Sequence, residues 1–377
     1  MHPTGSRGFG QETEGTYLKY RKQVTYTDKG AAPAWIGLHR FHFRQPLLTG
    51  LNIISNRHTS HPAMFTLGDE SNPDSALSSD PTEPATSAAK RSKRGITRRQ
   101  FLKGSAAVGV ALGTGGLGYT WFGEPNWLEK IYIRLELPDL PASLNGMRLV
   151  QFSDMHLGMG KNTSDLEQLV DVINKEKPDM ICFTGDIVDE YAQELVAGVA
   201  ALQRLQAPLG KYAVLGNHDY LDDVVTVTRL LQQGDFDVLI NEHRLVRRPD
   251  GILAIAGLDD QLLGNPDVQK AARGIPEQAC RLLLMHEPDY ADRVPEELKF
   301  SLQLSGHSHG GQIRLPLFGA IITPKGSRKY IMGGYRAGKG GHLPLYVNRG
   351  IGMSQLPIRF MCRPELTIFT FYRKEQS

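Results

Sequence analysis

From residue 148 to about 219 the chain alternates short apolar runs with stretches of helical period. Arg148-Leu149-Val150-Gln151-Phe152-Ser153 reads as a strand, because the run is brief and apolar-rich. In the next segment Leu166, Leu169, Val170 and Ile173 fall on one helical face. Ser164-Asp165-Leu166-Glu167 reads as its capping box and Pro178 as its stop. Met180 to Thr184 is a fully apolar strand pattern, a second helical pattern spans roughly 191 to 206, and Lys211 to Leu215 is the next strand. Beyond about 235 the texture changes. Strands are expected at Val238–Ile240, Arg244–Arg247, Ile252–Gly257, Arg281–Met285, Leu302–Ser305, Leu345–Asn348 and Leu366–Tyr372. No fixed-period repeat is present. The expected fold is α/β: a four-layer α/β/β/α sandwich of two mixed sheets with flanking helices, its polar loops gathered at one sheet edge.

The front of the chain does not share this pattern. Residues 1–63 show no sustained period and read as unstructured or as an over-extended gene start, with Met64 as the expected true start. Residues 64–96 include a Ser-, Pro- and Asp-rich tract and read as a disordered linker. Then Thr97-Arg98-Arg99-Gln100-Phe101-Leu102-Lys103 leads directly into Gly104–Gly123, which carries no charge and seven glycines. An Arg pair alone is an ordinary solvated face. Followed by Phe-Leu-Lys and an uncharged stretch, residues 97–123 read as a twin-arginine export signal. Its glycine content makes it weakly hydrophobic for a dedicated membrane span. No Ala-x-Ala site follows, so the segment is expected either to be removed or to stay as an anchor. The expected location is the periplasm, the cell wall or the extracytoplasmic face of a bacterial membrane, with membrane contact through residues 104–123.

Composition narrows the function. The chain has 377 residues, 40% of them hydrophobic, enough for a large core. Its net charge is only +3, and Lys90, Arg91, Lys93, Arg94, Arg98 and Arg99 lie together before the expected catalytic region. Nucleic acid is therefore an unlikely partner. Three cysteines, Cys182, Cys280 and Cys362, form no CxxC and no readable disulfide framework.

Five motifs carry candidate chemistry at expected strand ends: Asp154-Met155-His156, Gly185-Asp186, Gly216-Asn217-His218-Asp219, His286, and Gly306-His307-Ser308-His309. Singly most are bland. Asp-x-His is common, Gly-Asp is often a turn, and a lone histidine is usually a satisfied core residue. Together they supply carboxylate and imidazole donors sufficient for two divalent cations. Two imidazoles at i and i+2 between glycines suit close approach to an ion or a phosphate. Asp222-Asp223 reads as the negative first turn of a helix and Asp259-Asp260 as a surface turn. Glu287-Pro288-Asp289 reads as a helix start, and Arg349 as a contact for substrate phosphate or a surface ion pair.

This ordered set resembles the calcineurin-like metallophosphoesterase superfamily. The wider phrases around Asp154 and His307-Ser308-His309-Gly310-Gly311-Gln312 resemble its YkuE-like branch, over residues 130–372. The resemblance implies a hydrolase of phosphomonoesters, phosphodiesters or pyrophosphates. It implies one metal held by Asp154, His156, Asp186 and His309, and another by Asp186, Asn217, His286 and His307. Asp186 would bridge. His218 would be the catalytic acid over the phosphate, with Asp219 orienting or charge-stabilising it. Two divalent ions (manganese, iron or zinc) would share a hydroxide that attacks phosphorus. Manganese is favoured, since a protein loaded before folded export keeps a metal that open competition would replace. Export points to an envelope or lipid-linked phosphoester; a UDP-2,3-diacylglucosamine-type pyrophosphatase and a non-catalytic metal or phosphoglycan binder are the alternatives.

Overall fold

The computed structural model describes residues 97–374; the expectations for 1–63 and 64–96 lie outside the described residues. The elements follow in chain order as α1 (Arg98–Gly118), β1 (Glu129–Leu137), β2 (Arg148–Phe152), α2 (Thr163–Lys175), β3 (Met180–Thr184), α3 (Gln193–Val196), α4 (Val199–Gln203) and β4 (Lys211–Val214). Next come α5 (Val224–Gln233), β5 (Asp237–Val238), β6 (Glu242–Arg248), β7 (Gly251–Gly257), α6 (Val268–Ala272), β8 (Cys280–Leu284) and β9 (Leu302–Ser305). β10 (Arg314–Leu315), β11 (Gly319–Ala320), β12 (Gly333–Ala337), β13 (Leu343–Val347) and β14 (Glu365–Arg373) complete them.

Two six-stranded sheets result, ordered β1-β14-β2-β3-β4-β5 and β12-β13-β9-β8-β7-β6. Both are mixed. β2, β3, β4 and β5 run parallel while β14 opposes β2. In the second sheet β7, β8, β9 and β13 run parallel, with antiparallel strands β6 and β12 at its two edges. Alternation along each strand sorts side chains between layers. Val150, Ile181 and Phe183 face outward onto Leu166, Leu169, Val170 and Ile173 of α2 and onto Leu230 and Leu231 of α5. Their neighbours Leu149, Met180 and Cys182 face inward onto Leu253, Ile255, Leu282 and Leu304 of the second sheet. Beyond that sheet, Ala254, Ala256 and Leu283 pack on Val268, Ala271 and Ala272 of α6. Three apolar layers separate four layers of structure, the α/β/β/α sandwich expected. A one-residue slip of β3 would exchange its two faces, so both packing partners fix its register.

Some local expectations change. α2 is capped by Asn162, not Ser164. Asn162 Oδ1 accepts from the amide of Ser164 at 2.8 Å, and Asp165 reaches back to the Asn162 amide at 2.9 Å. The pattern over 191–206 is two short helices divided at Gly198, where a Cβ would lie 2.8 Å from Leu166 Cδ2. Close approach of α2 thus calls for glycine at the joint. Asp223 caps α5 through the Thr226 amide, as its position suggested. β1, β12 and the small hairpin β10–β11 are not among the strands expected from the sequence. β1 alternates Ile131, Ile133, Leu135 and Leu137 and was legible; β10 and β11 have two residues each, too few for periodicity to show.

α1 opens with a capping box in which Thr97 Oγ1 accepts from the Gln100 amide at 3.2 Å. Among the described residues, no helix is long and apolar enough to cross a membrane. The chain after α1 is stitched to the sandwich. The buried Glu124 carboxylate accepts from the amides of Met361 (2.9 Å) and Cys362, and the Arg359 amide donates to the Thr120 carbonyl at 3.1 Å.

Candidate metal centre

The carboxyl ends of β2, β3 and β4 in one sheet and of β8 and β9 in the other meet at one edge, and each releases its motif there. Five of the donor residues, Asp154, His156, Asp186, His307 and His309, hold positive φ between 46° and 68°. Such backbone turns side chains sharply off the strand ends and is strained for residues other than glycine. Gly185 supplies the close fit beside them: its φ is +96°, and a Cβ there would stand 2.4 Å from His286 Nδ1.

Two clusters draw on both sheets, and a third group, His156, Asp189 and His218, lies on the first sheet alone. In the first, His156 Nε2 lies 3.1 Å from His309 Nε2, which lies 3.4 Å from Asp154 Oδ1. In the second, His286 Nε2 lies 3.1 Å from Asp186 Oδ2 and 3.2 Å from His307 Nδ1. The same Asp186 oxygen stands 3.6 Å from His156 Nε2, so it faces both clusters. The remaining ring nitrogens are already committed. His286 Nδ1 meets the Thr184 carbonyl at 2.6 Å, His307 Nε2 the Lys325 carbonyl at 2.8 Å, and His156 Nδ1 the Asp189 carboxylate at 3.0 Å. A carbonyl only accepts, so it fixes the proton on its side of the ring and turns the other nitrogen's lone pair inward.

The electrostatics suit cations. Burial raises the Asp186 carboxyl, but the charges of His286, His218 and His156 outweigh it and hold Asp186 well below the ordinary carboxylate range. Burial and the charge of His286 push His307 down to about 4. Burial and His156 hold His309 well below the usual histidine range. For His286 burial is overcome by the Asp186 charge and hydrogen bond, which raise it well above that range.

The donors fit a metal pair. Donors about 2.1 Å from one ion stand roughly 3.0 to 3.4 Å apart, the spacing found within each cluster. Imidazole nitrogens facing one another across about 3.1 Å need a shared proton or a cation between them. The Asn217 side-chain oxygen is buried with no hydrogen-bond partner among the described residues, an acceptor left for something outside the chain.

His218 behaves differently. Its side chain is 20% exposed while those of His156 and His286 are fully buried. The backbone amide of His218 donates to Asp186 Oδ1 at 2.8 Å, and its Nδ1 meets the Asp189 carbonyl at 2.5 Å. Nε2 points towards Ser354 Oγ, 3.4 Å away. Asp219 does not take the place expected beside that ring. Its buried carboxylate accepts from the amides of Gly216, Asp186 and Ile187, each at 2.9 Å, and ties the two ligand loops together. Burial, and then the charge of Asp186, push its carboxyl up to about 6.

Of the two readings given for Arg349, the ion pair is the one the structure forms. Its guanidinium is engaged by Glu365 and, at 3.0 Å, by Glu129, which leaves it a structural ion pair rather than a phosphate contact. Asp260 is buried, not a surface turn; its carboxylate accepts from the Leu262 amide at 2.8 Å. Two residues escaped the sequence reading. Asp189 holds both His156 and His218, and its signal was the second acid three residues after Asp186 in Gly185-Asp186-Ile187-Val188-Asp189. The fully buried Arg359 donates to the carbonyls of Gly352 and Cys362 and approaches His309 Nδ1 at 3.5 Å; a lone arginine in a loop gave no signal.

Comparison with known proteins agrees with this geometry. Residues 147–311 match the calcineurin-like phosphoesterase model, and residues 95–115 match the twin-arginine translocation pathway signal sequence. The uncharacterized metallophosphoesterase YkuE of Bacillus subtilis is 40% identical over 282 residues, covering 73% of this chain and 97% of YkuE. The phosphodiesterase YaeI of Escherichia coli is 28% identical over 280 residues, covering 72% and 98%. A transmembrane protein with a metallophosphoesterase domain from Danio rerio is 34% identical, covering 63% of this chain and 56% of that one. With this donor set at the shared edge of two sheets, the chain belongs to the calcineurin-like phosphoesterase family and is a metal-dependent phosphoester hydrolase.

Proposed function

We propose that this hydrolase works with two divalent cations on a phosphoester of the bacterial envelope, after folded export. Asp154, His156 and His309 would hold one cation and Asn217, His286 and His307 the other, with Asp186 shared. The observation that carries this reading is the single oxygen Asp186 Oδ2, which faces His156 at 3.6 Å and His286 at 3.1 Å. When bound, the cations supply Lewis acidity, lowering the pKa of water and neutralising phosphate charge.

The chain's own residues do the rest. The Asp189 carbonyl fixes a proton on His218 Nδ1, which leaves Nε2 as the nitrogen at which this partly exposed ring exchanges protons. From there it donates to the leaving oxygen of the ester, which for an alkoxide is the difficult part of the departure. Asp219 keeps the Asp186 and Asn217 loops at fixed separation. The nearly dry donor set lets each charge act in a low dielectric.

The twin-arginine signal supports an extracytoplasmic substrate, and a lipid-linked or cell-wall phosphodiester fits that location. Manganese suits a centre filled before export. The test is metal analysis of protein purified after native export, followed by a panel of phosphomonoesters, phosphodiesters and pyrophosphates. Two ions per chain with manganese dominant, and turnover of an envelope diester, are expected. One ion per chain at saturation, or no hydrolysis of any phosphoester, sinks the reading.

A further inference from the structure

The excursion between Gln312 and Lys325 leaves the metal centre and returns to it. It starts directly after the His307–Gly311 loop, and Arg314 donates to the Gly310 carbonyl at 2.7 Å. Lys325 ends it, with its carbonyl on His307 Nε2. Between them β10 and β11 form a tight hairpin whose tip and following turn point their largest apolar side chains at solvent. Leu317 is 90% exposed, Phe318 79% and Ile322 76%. Nothing in the sandwich's own packing accounts for apolar side chains left so bare beside a charged centre.

The hairpin is continuous with the root of the signal helix. Ile313 bridges Phe360, and the Arg314 amide donates to the Phe360 carbonyl at 2.9 Å. The neighbouring Arg359 amide donates to Thr120, and Met361 and Cys362 hold Glu124. Exposed Met361, Trp121 and Phe122 therefore extend the apolar edge from the hairpin to the end of α1. The guanidinium of Arg363 lies 3.6 Å over the Trp127 ring at the same root, the aromatic and basic pairing favoured at bilayer interfaces.

Charge selects the partner. From Leu298 to Pro364 the chain carries ten lysines and arginines and no aspartate or glutamate. Arg359 is buried, and Arg349, Lys299 and Lys329 pair with carboxylates, which leaves Arg314, Lys325, Arg328, Arg336, Lys339 and Arg363 without a carboxylate partner among the described residues. A second copy of this chain would bring like charge to like charge. An anionic bilayer offers phosphate to the basic residues and hydrocarbon to Leu317, Phe318 and Ile322. A polynucleotide would leave the aliphatic side chains unused.

We propose that the Gln312–Lys325 excursion and the root of α1 form a membrane-docking ledge, which seats the metal centre at the headgroup level of an anionic bilayer. The substrate would then be a phosphoester at the lipid surface, reached without leaving the membrane; that last step rests on the phosphoesterase reading above, while the docking does not.

The metal-loaded full chain should partition onto vesicles of phosphatidylglycerol and phosphatidylcholine, and less onto phosphatidylcholine alone. The double variant Leu317→Ser with Phe318→Ser should weaken that partition by about tenfold or more. Hydrolysis of soluble bis(p-nitrophenyl) phosphate should stay unchanged, because neither side chain touches the centre. A separate variant, Phe318→Trp, should gain fluorescence that brominated lipid quenches. Equal partition of parent and double variant, or no quenching at Trp in the second variant, overturns the ledge, since α1 alone would then carry any membrane contact. Vesicle binding that depends on the hairpin in a protein that cleaves no phosphoester would leave the ledge standing and reject the function.

Discussion

The two sheets bring different chemistry to the centre. The first sheet contributes Asp154, His156, Asp186, Asn217 and His218 from loops that also carry Asp189 and Asp219. The second contributes only imidazoles to the clusters: His286, His307 and His309. The clusters Asp154–His156–His309 and Asp186–His286–His307 each join a carboxylate of the first sheet to an imidazole of the second, whereas a third group, His156, Asp189 and His218, lies on the first sheet alone. The Gln151 side chain, in the first sheet, donates to the Ser305 carbonyl of the second at 3.0 Å just beneath. A metal held by either of the two shared clusters would require the sheets to be docked, so its binding would be linked to folding of the seam.

The sharpest way to break this comparison is to remove the shared carboxylate. Asp186→Ala should lower metal content below two ions per chain, read by elemental analysis. Its turnover should fall by about a thousandfold or more. An Asp186→Ala protein with full metal and normal turnover would mean that the sheets do not share a centre. Next in size, His218→Ala should keep its metals and lose about a hundredfold or more on an alkyl phosphodiester. It should lose much less on a p-nitrophenyl ester, whose leaving group needs no proton. Equal losses on both esters would remove the proton from His218's role.

Asp189→Ala sharpens the contrast within the first sheet. It frees the Nδ1 of His156, a proposed metal donor, from its carboxylate partner at 3.0 Å. The Asp189 backbone carbonyl, which holds His218, remains. The expected result is weaker metal binding by about tenfold to a hundredfold, measured by competition with a chelator, and near-normal turnover at saturating metal. A turnover loss that excess metal does not restore would place the effect on His218 instead.

The smallest effect tests the first sheet away from the centre. Glu176 closes α2 and takes Lys130 and Arg148, each at 2.8 Å. Burial raises its carboxyl, but hydrogen bonds and charge from Lys130 and its neighbours win, so the folded state holds it below the ordinary glutamate range. A lowered folded pKa gives stability that is present above the unfolded pKa and is lost as pH falls through the folded value. Glu176→Gln should therefore cost about 1 kcal/mol at neutral pH and nearly nothing in strongly acidic solution, by denaturant unfolding at the two pH values. Metal content should not change.

Much of this was legible because strand alternation and motif order are properties of nearest neighbours. β2, β3, β4, β8, β9, β13 and β14 announced themselves by short apolar-rich runs, and Asp154, His156, Asp186, His286, His307 and His309 meet at one edge. What the sequence hid depends on contacts between distant segments. The sequence put the cap of α2 at Ser164, whereas the structure puts it two residues earlier at Asn162. Asp219 looked like a partner for its neighbour His218, yet its carboxylate turns to the backbone of the 186 loop, 33 residues away in sequence. For Arg349 the sequence left a phosphate contact and an ion pair both open, because its carboxylate partners, Glu129 and Glu365, stand in strands at opposite ends of the catalytic region.

The positive φ values of Asp154, His156, Asp186, His307 and His309 carry a further cost. At roughly 1 kcal/mol for each left-handed side chain, five such residues amount to about 5 kcal/mol, a sum comparable with a domain's whole margin of stability. Glycine would relax any of them and delete a donor in the same stroke. The donor loops are therefore a place where durability and reactivity pull in opposite directions. Chains that reach the outside unloaded should be the first to melt and the first to meet a protease.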